Sequence, residues 1–135
     1  MRKNIQTWAH PMWAYLHSLP NLRGPNREER IACIFGLLVS IIPCQTCSEH
    51  ASAWIGKYPP HNVGPGGFTL YFYNLHNAVN SRTYTRPASR SVLSRYRMDP
   101  RYSLSALISS ILKFRSDELT KAVLADVAAL TNNTL

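Results

Sequence analysis

Acidic residues are scarce in this sequence: seven Asp and Glu face fifteen Lys and Arg, a formal net charge of +8 over 135 residues. That balance excludes an acidic solvating tail and an acidic calcium-binding protein. The longest largely apolar stretch, residues 31–42, is well short of the ~20 residues that span a bilayer. The N-terminus has no basic segment followed by an apolar one, so we expect neither a signal peptide nor a membrane anchor.

Cysteine is also scarce, because three residues are too few for a disulfide framework in so small a chain. Cys44 and Cys47 form a CxxC pair, and Cys33 stands alone in an apolar helical pattern. We expect the pair to be a working dithiol and Cys33 to be a buried small hydrophobe.

Convincing strand pairs are absent, and the apolar spacing is helical. The hydrophobic fraction of 45% is enough for a core, so an all-α fold is predicted. The predicted helices cover 8–19, 26–42, from the CxxC to about 57, 68 to about 81, 104–114 and 119–130.

The second predicted helix is apolar on most sides, so we expect it to be the buried central helix. Asn26 followed by Glu29 predicts a capping box at its start, and Pro43 predicts its end.

The composition changes after Pro87. Residues 82–102 hold six Arg and one acidic residue, and the last predicted helix opens with Asp117 and Glu118, where acids suit the helix dipole. We expect residues 1–87 to form the functional core and 88–135 to form a C-terminal helical extension packed on or beside it.

The CxxC pair follows Pro43 at a predicted helix N-terminus, where the thiolate form is favoured. The spacing allows a reversible disulfide. Half of a zinc site and two unreactive cysteines are the alternatives, although only Cys33 and scattered His could complete a metal site, so no metal is expected. A thioredoxin-like fold would need a βαβ context that the pattern does not supply. A dithiol on a helical scaffold has no electron acceptor of its own, so a cofactor is expected.

Three motifs resemble the Erv/ALR family of FAD-linked sulfhydryl oxidases, and most closely its short viral members. Residues 13–17 (WAYLH) match the family's WxxLH opening, and 75–80 (LHNAVN) match LHNxVN. Residues 43–47 (PCQTC), followed by His50 and Ala51, match PCxxC and the viral form CxxCxxHA. The motifs occur in family order and spacing over roughly residues 8–87.

The resemblance implies a four-helix bundle that holds FAD beside the CxxC, usually as a homodimer. It implies catalytic roles for Cys44 and Cys47. Trp13 is expected near the adenine, and Arg82 and Arg86 near the phosphates, where Arg supplies charge-assisted donors. The cofactor-binding residues that it implies are Trp8, Trp13, His17, His76, Asn77, Val79, Asn80, Arg82 and Arg86.

The implied reaction passes electrons from client dithiols through the CxxC to FAD and then to O₂, giving H₂O₂. Cys44 is expected to meet the client and Cys47 to face the flavin. The chain has no second CxxC to act as a shuttle, so clients would dock directly, among them a thioredoxin-like intermediary or viral structural proteins. Host cytoplasm or virion is the expected location, with the mitochondrial intermembrane space as the alternative.

Two other functions fit parts of the sequence. The net charge and the Arg-rich stretch 82–102 suit a nucleic-acid-binding or virion-packaging module. That reading leaves the three motifs unexplained, which argues against a nucleic-acid partner. A flavin-free thiol–disulfide carrier would explain the CxxC alone.

Overall fold

Regular structure in this chain is helical. The computed structural model describes residues 2–63, 67–83 and 85–133, with side chains from residue 7 onward. Its α-helices are α1 (Arg2–Ser18), α2 (Arg27–Val39), α3 (Gln45–Lys57), α4 (Phe68–Arg82), α5 (Val92–Arg95), α6 (Arg101–Leu112) and α7 (Glu118–Asn132). No strand occurs in these residues, and the predicted all-α fold is confirmed. Within the same ranges, each helix is too short or too polar to cross a membrane.

One hydrophobic cluster joins the two halves of the chain. α6 packs against α1, and α7 packs against α2 and α6. Leu107 of α6 and Val127 of α7 are fully buried in the cluster that also holds Tyr15 and Phe35. The C-terminal helices therefore contribute to the same core as α1 and α2, and a boundary at residue 87 stays a prediction.

Buried hydroxyl groups connect α1 to both C-terminal helices. The hydroxyl oxygens of Tyr15 and Thr131 lie 2.6 Å apart, and those of Ser18 and Ser103 lie 3.2 Å apart. Each pair satisfies polar groups that burial would otherwise leave costly. The ends of α1 and α7 are thereby fixed relative to each other.

The start and end of α2 differ from the sequence prediction. Asn26 adopts the left-handed conformation at φ 53°, and its side chain makes no capping hydrogen bond, so the predicted capping box with Glu29 is wrong. In this conformation Asn26 serves as a turn residue. The helix ends at Val39 rather than at 42, because residues 40–43 turn towards α3.

Cys33 is exposed, and the prediction that it is buried is wrong. α2 buries one face through Ile31, Ile34 and Phe35, while Glu29 and Cys33 share the exposed face one helical turn apart. The helix is therefore half-buried rather than central. Its apolar composition concealed this difference between its faces.

Candidate functional site

The CxxC pair lies where α3 begins. Cys44 is the N-cap of α3, and its Sγ accepts a hydrogen bond of 3.2 Å from the backbone N–H of Cys47. The two residues form a disulfide, with their Cα atoms 5.2 Å apart. The hydroxyl of Ser48 donates to the carbonyl of Val39 at 2.8 Å, which holds this end of α3 against the end of α2.

This arrangement favours the redox interpretation of the pair over half of a zinc site. Among the residues whose side chains are described, no three His, Cys, Asp or Glu side chains come together as metal ligands. A structural zinc site needs four ligands. A disulfide at a helix N-terminus is instead poised for thiol exchange, because the helix end stabilises a thiolate.

A pocket of about 890 Å³, including the space at its mouth, opens beside Cys47. Helices α1 to α4 all contribute to it, and most of its wall is apolar. We call it the Cys47 pocket. Its lining residues are Trp8, Ala9, Met12, Trp13, Leu16, Phe35, Leu38, Val39, Ile42, Cys47, His50, Ala51, Trp54, Leu75, Ala78, Val79, Arg82 and Thr83.

Trp54 is a pocket residue that the motifs do not indicate. Its indole Nε1 is buried, and the residue lines the pocket. The Trp54 side chain also acts on Tyr71, whose pKa it lowers against the larger, raising effect of burial. Helical periodicity could have identified Trp54, because Cys47, Ala51 and Trp54 lie on one face of α3.

A stack of aromatic rings adjoins the pocket, which it meets at Trp13. The rings of Trp13 and His76 are nearly parallel, at 7°, with centroids 4.0 Å apart. His17 Nε2 and His76 Nδ1 are 2.8 Å apart, and the ring of Tyr96 stacks on His17 at 5.7 Å. The structure thus brings together three predicted residues from the first and third motifs.

Burial lowers the pKa of both His17 and His76 to about 4, and for His17 the nearby His76 adds to the effect. Both rings are therefore neutral at physiological pH, and one donates a hydrogen bond to the other. A neutral, flat pair of this kind suits an aromatic ligand better than an anionic one.

The other predicted cofactor residues divide into two groups. Trp8, Val79 and Arg82 line the Cys47 pocket. Asn80 is half-buried in the last turn of α4, and Arg86 is exposed and does not line the pocket. These placements leave the cofactor roles as predictions, with the strongest geometric support for the first group.

Asn77 has a structural partner. Its Oδ1 accepts a hydrogen bond of 2.7 Å from the backbone N–H of Ala88. Tyr73, one turn earlier on α4, donates from its hydroxyl to the carbonyl of Ala88 at 2.9 Å. Together the two side chains fasten the segment after α4 back onto that helix.

Cys44 faces a second, more open space, which we call the Cys44 groove. It measures about 680 Å³ including its open side. Its lining residues are Ser40, Ile42, Pro43, Cys44, Gln45, Ser48, Phe114 and Arg115. The two sulfurs of one disulfide therefore belong to residues that line different spaces, an apolar pocket and a more open groove of mixed polarity.

Comparison with known proteins agrees with this geometry. Residues 7–98 match the model of the Erv1/Alr family. The chain is 30% identical over 102 residues to a protein of Invertebrate iridescent virus 3 named "Putative FAD-linked sulfhydryl oxidase 096R". That alignment covers 67% of this chain and 66% of the viral protein. No solved structure matches the chain. The family match spans the CxxC, the Cys47 pocket and the aromatic stack, and the chain belongs to the Erv1/Alr family.

Proposed function

We propose that the chain is an FAD-linked thiol oxidase that makes disulfides in client proteins. One observation carries the proposal: the disulfide at the start of α3 has Cys47 in an apolar pocket and Cys44 in an open groove. That division suits electron transfer from a partner on one side to a cofactor on the other. Membership of the Erv1/Alr family supports the same activity, and so does the viral relative, which is named as an FAD-linked sulfhydryl oxidase.

The residues of the Cys47 pocket fit a flavin. The pocket's apolar walls with a few polar groups are the usual composition of a ligand pocket. Trp8, Trp13 and Trp54 offer aromatic faces to a flat heterocycle. Arg82 supplies a guanidinium for a diphosphate group.

The exchange steps use the disulfide alone. A client thiolate attacks Cys44 Sγ, the Cys44–Cys47 bond breaks, and Cys47 leaves as a thiolate. The second client thiol, after losing its proton, attacks the client sulfur of the mixed disulfide and releases Cys44. The client is then oxidised by two electrons and the CxxC pair is reduced by two.

The start of α3 favours this exchange because its positive end stabilises the thiolates that form. Apolar walls around Cys47 exclude water from the sulfur after it is released. The chemistry that a bound flavin supplies is two-electron oxidation of the reduced pair, with O₂ as the final acceptor and H₂O₂ as the product.

Partners, assembly and location belong to the same proposal. We infer that clients dock directly at Cys44, because the sequence has no second CxxC to act as a shuttle. A homodimer, viral structural proteins or a thioredoxin-like protein as clients, and host cytoplasm or virion are proposed on the family resemblance.

The experiment is to purify the protein, record its visible spectrum, and follow thiol loss, O₂ uptake and H₂O₂ with dithiothreitol. We expect a yellow protein that produces one H₂O₂ per disulfide. C44S and C47S should each abolish turnover. C33S should retain it, because Cys33 is exposed and lines neither space. C44S should also show a long-wavelength absorption band from the Cys47 thiolate beside the flavin.

Three outcomes would contradict the proposal. A colourless protein that exchanges disulfides without consuming O₂ would be a flavin-free carrier. A colourless protein that binds DNA or RNA with steep salt dependence would be a nucleic-acid module. The long-wavelength band in C47S instead of C44S would reverse the roles of the two cysteines.

A further inference from the structure

The Cys44 groove includes two residues from outside the family match. Phe114 and Arg115 lie between α6 and α7, whereas the match ends at residue 98. Phe114 keeps 37% of its surface exposed, a high value for a large apolar side chain. Arg115 is the charged residue among those that line the groove. The C-terminal helices therefore place an apolar contact and a cation beside the client-facing cysteine.

Arg115 is held at the groove by one long hydrogen bond and one salt bridge. Its Nη1 donates a long hydrogen bond of 3.4 Å to the carbonyl of Ser40, and its Nε lies 3.5 Å from Asp117 Oδ2. Asp117 is already engaged as the N-cap of α7: it accepts the N–H of Thr120 at 3.0 Å and the hydroxyl of Thr120 at 2.8 Å. The guanidinium has five N–H donors, so beside its contacts with Ser40 and Asp117 it can still donate to a bound partner.

Two positive features converge on the groove. One is the N-terminus of α3, which begins at Gln45 directly after Cys44, and the other is Arg115. A client thiolate that approaches Cys44 is an anion, and nearby positive charge raises the thiolate fraction of a cysteine. A carboxylate next to the client cysteine would complement Arg115, as exposed opposite charges do across interfaces.

We propose that the Cys44 groove binds an extended, reduced dithiol segment of a client protein, with Arg115 contacting a carboxylate beside the reacting cysteine and Phe114 contacting an apolar side chain. This proposal rests on the thiol oxidase function. The chemical step is the exchange already described. The residues from the C-terminal helices determine which clients present their thiol to Cys44.

The test compares two reduced dithiol peptides of identical length, one with Asp and Glu beside its cysteines and one with Lys and Arg. The kcat/KM for each is measured with the flavin-loaded protein at low salt. We expect the acidic peptide to be oxidised faster. R115E converts attraction into repulsion, so the acidic-to-basic ratio should fall about tenfold. R115Q removes the charge without reversing it, so the ratio should fall about threefold.

R90E is the matched control, because Arg90 is exposed in the Arg-rich stretch and lies outside the groove. It makes the same change of net charge and should leave the ratio unaltered. The effect of R115E should weaken as salt is raised to ~0.5 M, since exposed charges are screened. F114A, compared on acidic peptides with Leu or Gly beside the cysteine, should lower the preference for Leu.

Equal ratios in the unmodified protein and R115E, or equal losses in R115E and R90E, would overturn the docking proposal. A preference of the unmodified protein for the basic peptide would do the same. Turnover of dithiothreitol by the unmodified protein separates this failure from failure of the oxidase proposal. If dithiothreitol is oxidised but the ratio does not respond, docking alone is wrong.

Discussion

At the scale of single residues, Arg82 and Arg86 carry the same charge, yet they lie in different surroundings. Arg82 lines the Cys47 pocket, and Arg86 is exposed outside it. The family resemblance implies that both lie near the FAD phosphates. The role stays a prediction, and the position of Arg82 at the pocket makes it the first residue to test.

R82A should therefore weaken FAD binding by about tenfold or more, because a charge-assisted hydrogen bond contributes ~1.5–3 kcal/mol. Flavin should be lost on desalting and regained with excess FAD. R86A is the matched variant and should retain more flavin under the same conditions. Full retention in R82A would show that its guanidinium does not hold the diphosphate.

The His17–His76 pair should make stability depend on pH. Both pKa values are lowered from 6.5 to about 4 in the folded protein. Between pH 6.5 and 4 the unfolded chain therefore binds more protons than the folded protein. The free energy of unfolding has its full value above pH 6.5 and decreases as the pH falls towards 4. Two facing ring nitrogens can share one proton but not two.

We expect the free energy of unfolding to fall by roughly 2 kcal/mol from about pH 7 to about pH 5, allowing for the partial exposure of both rings. Denaturant unfolding at a fixed FAD concentration measures it. The H17Q/H76Q variant should lose most of this dependence, whereas H61Q, at an exposed loop histidine, should keep it. An unchanged slope in the double variant would contradict the assignment.

The CxxC pair was predictable from the sequence because both partners lie in one motif and the disulfide depends on local spacing. The Trp13–His76 stack was not predicted, because its two residues come from motifs that are distant in the chain. Asn77 and Cys33 depend on which face of a helix meets which neighbour. That information lies in the packing of α4 against the segment at Ala88 and of α2 against α7, which periodicity in one helix does not contain.

At the scale of helices, Arg30 connects α2 to the end of α7. Its side chain is buried, with 6% of its surface exposed, and donates to the carbonyl of Leu130 at 3.0 and 2.6 Å and to that of Arg23 at 2.6 Å. A cation at a helix C-terminus interacts favourably with the helix dipole. Gly24 permits this approach, because at φ 102° an added Cβ would lie 3.0 Å from Arg30 Nη1.

R30A should lower the free energy of unfolding by about 2–4 kcal/mol, since several charge-assisted hydrogen bonds are lost. K121A is the control on α7, where an exposed lysine pairs loosely with Glu118, and it should change stability by less than about 0.5 kcal/mol. Chemical denaturation of both variants measures the difference. Similar stabilities would show that α7 is held by its apolar face alone.

Helix positions were predictable where proline or a cap is decisive. Pro43 precedes the start of α3, and Asp117 and Glu118 lie at the start of α7, as the sequence predicts. α2 shows the opposite case, because its apolar pattern continues to Ile42 while the helix ends at Val39. After Val39, Ile41 is fully buried in the core and Ile42 lines both the Cys47 pocket and the Cys44 groove, so the apolar pattern continues past the end of the helix.

At the scale of the whole molecule, the shared core decides whether the C-terminal helices are an accessory or a part of the folding unit. Leu107, on α6, is fully buried in the cluster that also holds Trp8, Met12 and Phe35 of the Cys47 pocket. Loss of packing at α6 should therefore reach the pocket. A separate extension would unfold without disturbing it.

L107A should lower the free energy of unfolding by about 2–5 kcal/mol, the usual range for a Leu-to-Ala change in a core. L119A, on α7 with 64% of its surface exposed, is the matched control and should be nearly neutral. Far-ultraviolet circular dichroism and flavin fluorescence, followed in the same denaturant titration, should give coincident transitions in both variants, because a single core unfolds in one step. An earlier loss of helix content in L107A, with the flavin signal retained, would instead establish residues 88–135 as a separate unit. In that case their contribution to the Cys44 groove could be removed without loss of the flavin site, whereas a single transition means that the groove and the pocket are stabilised together.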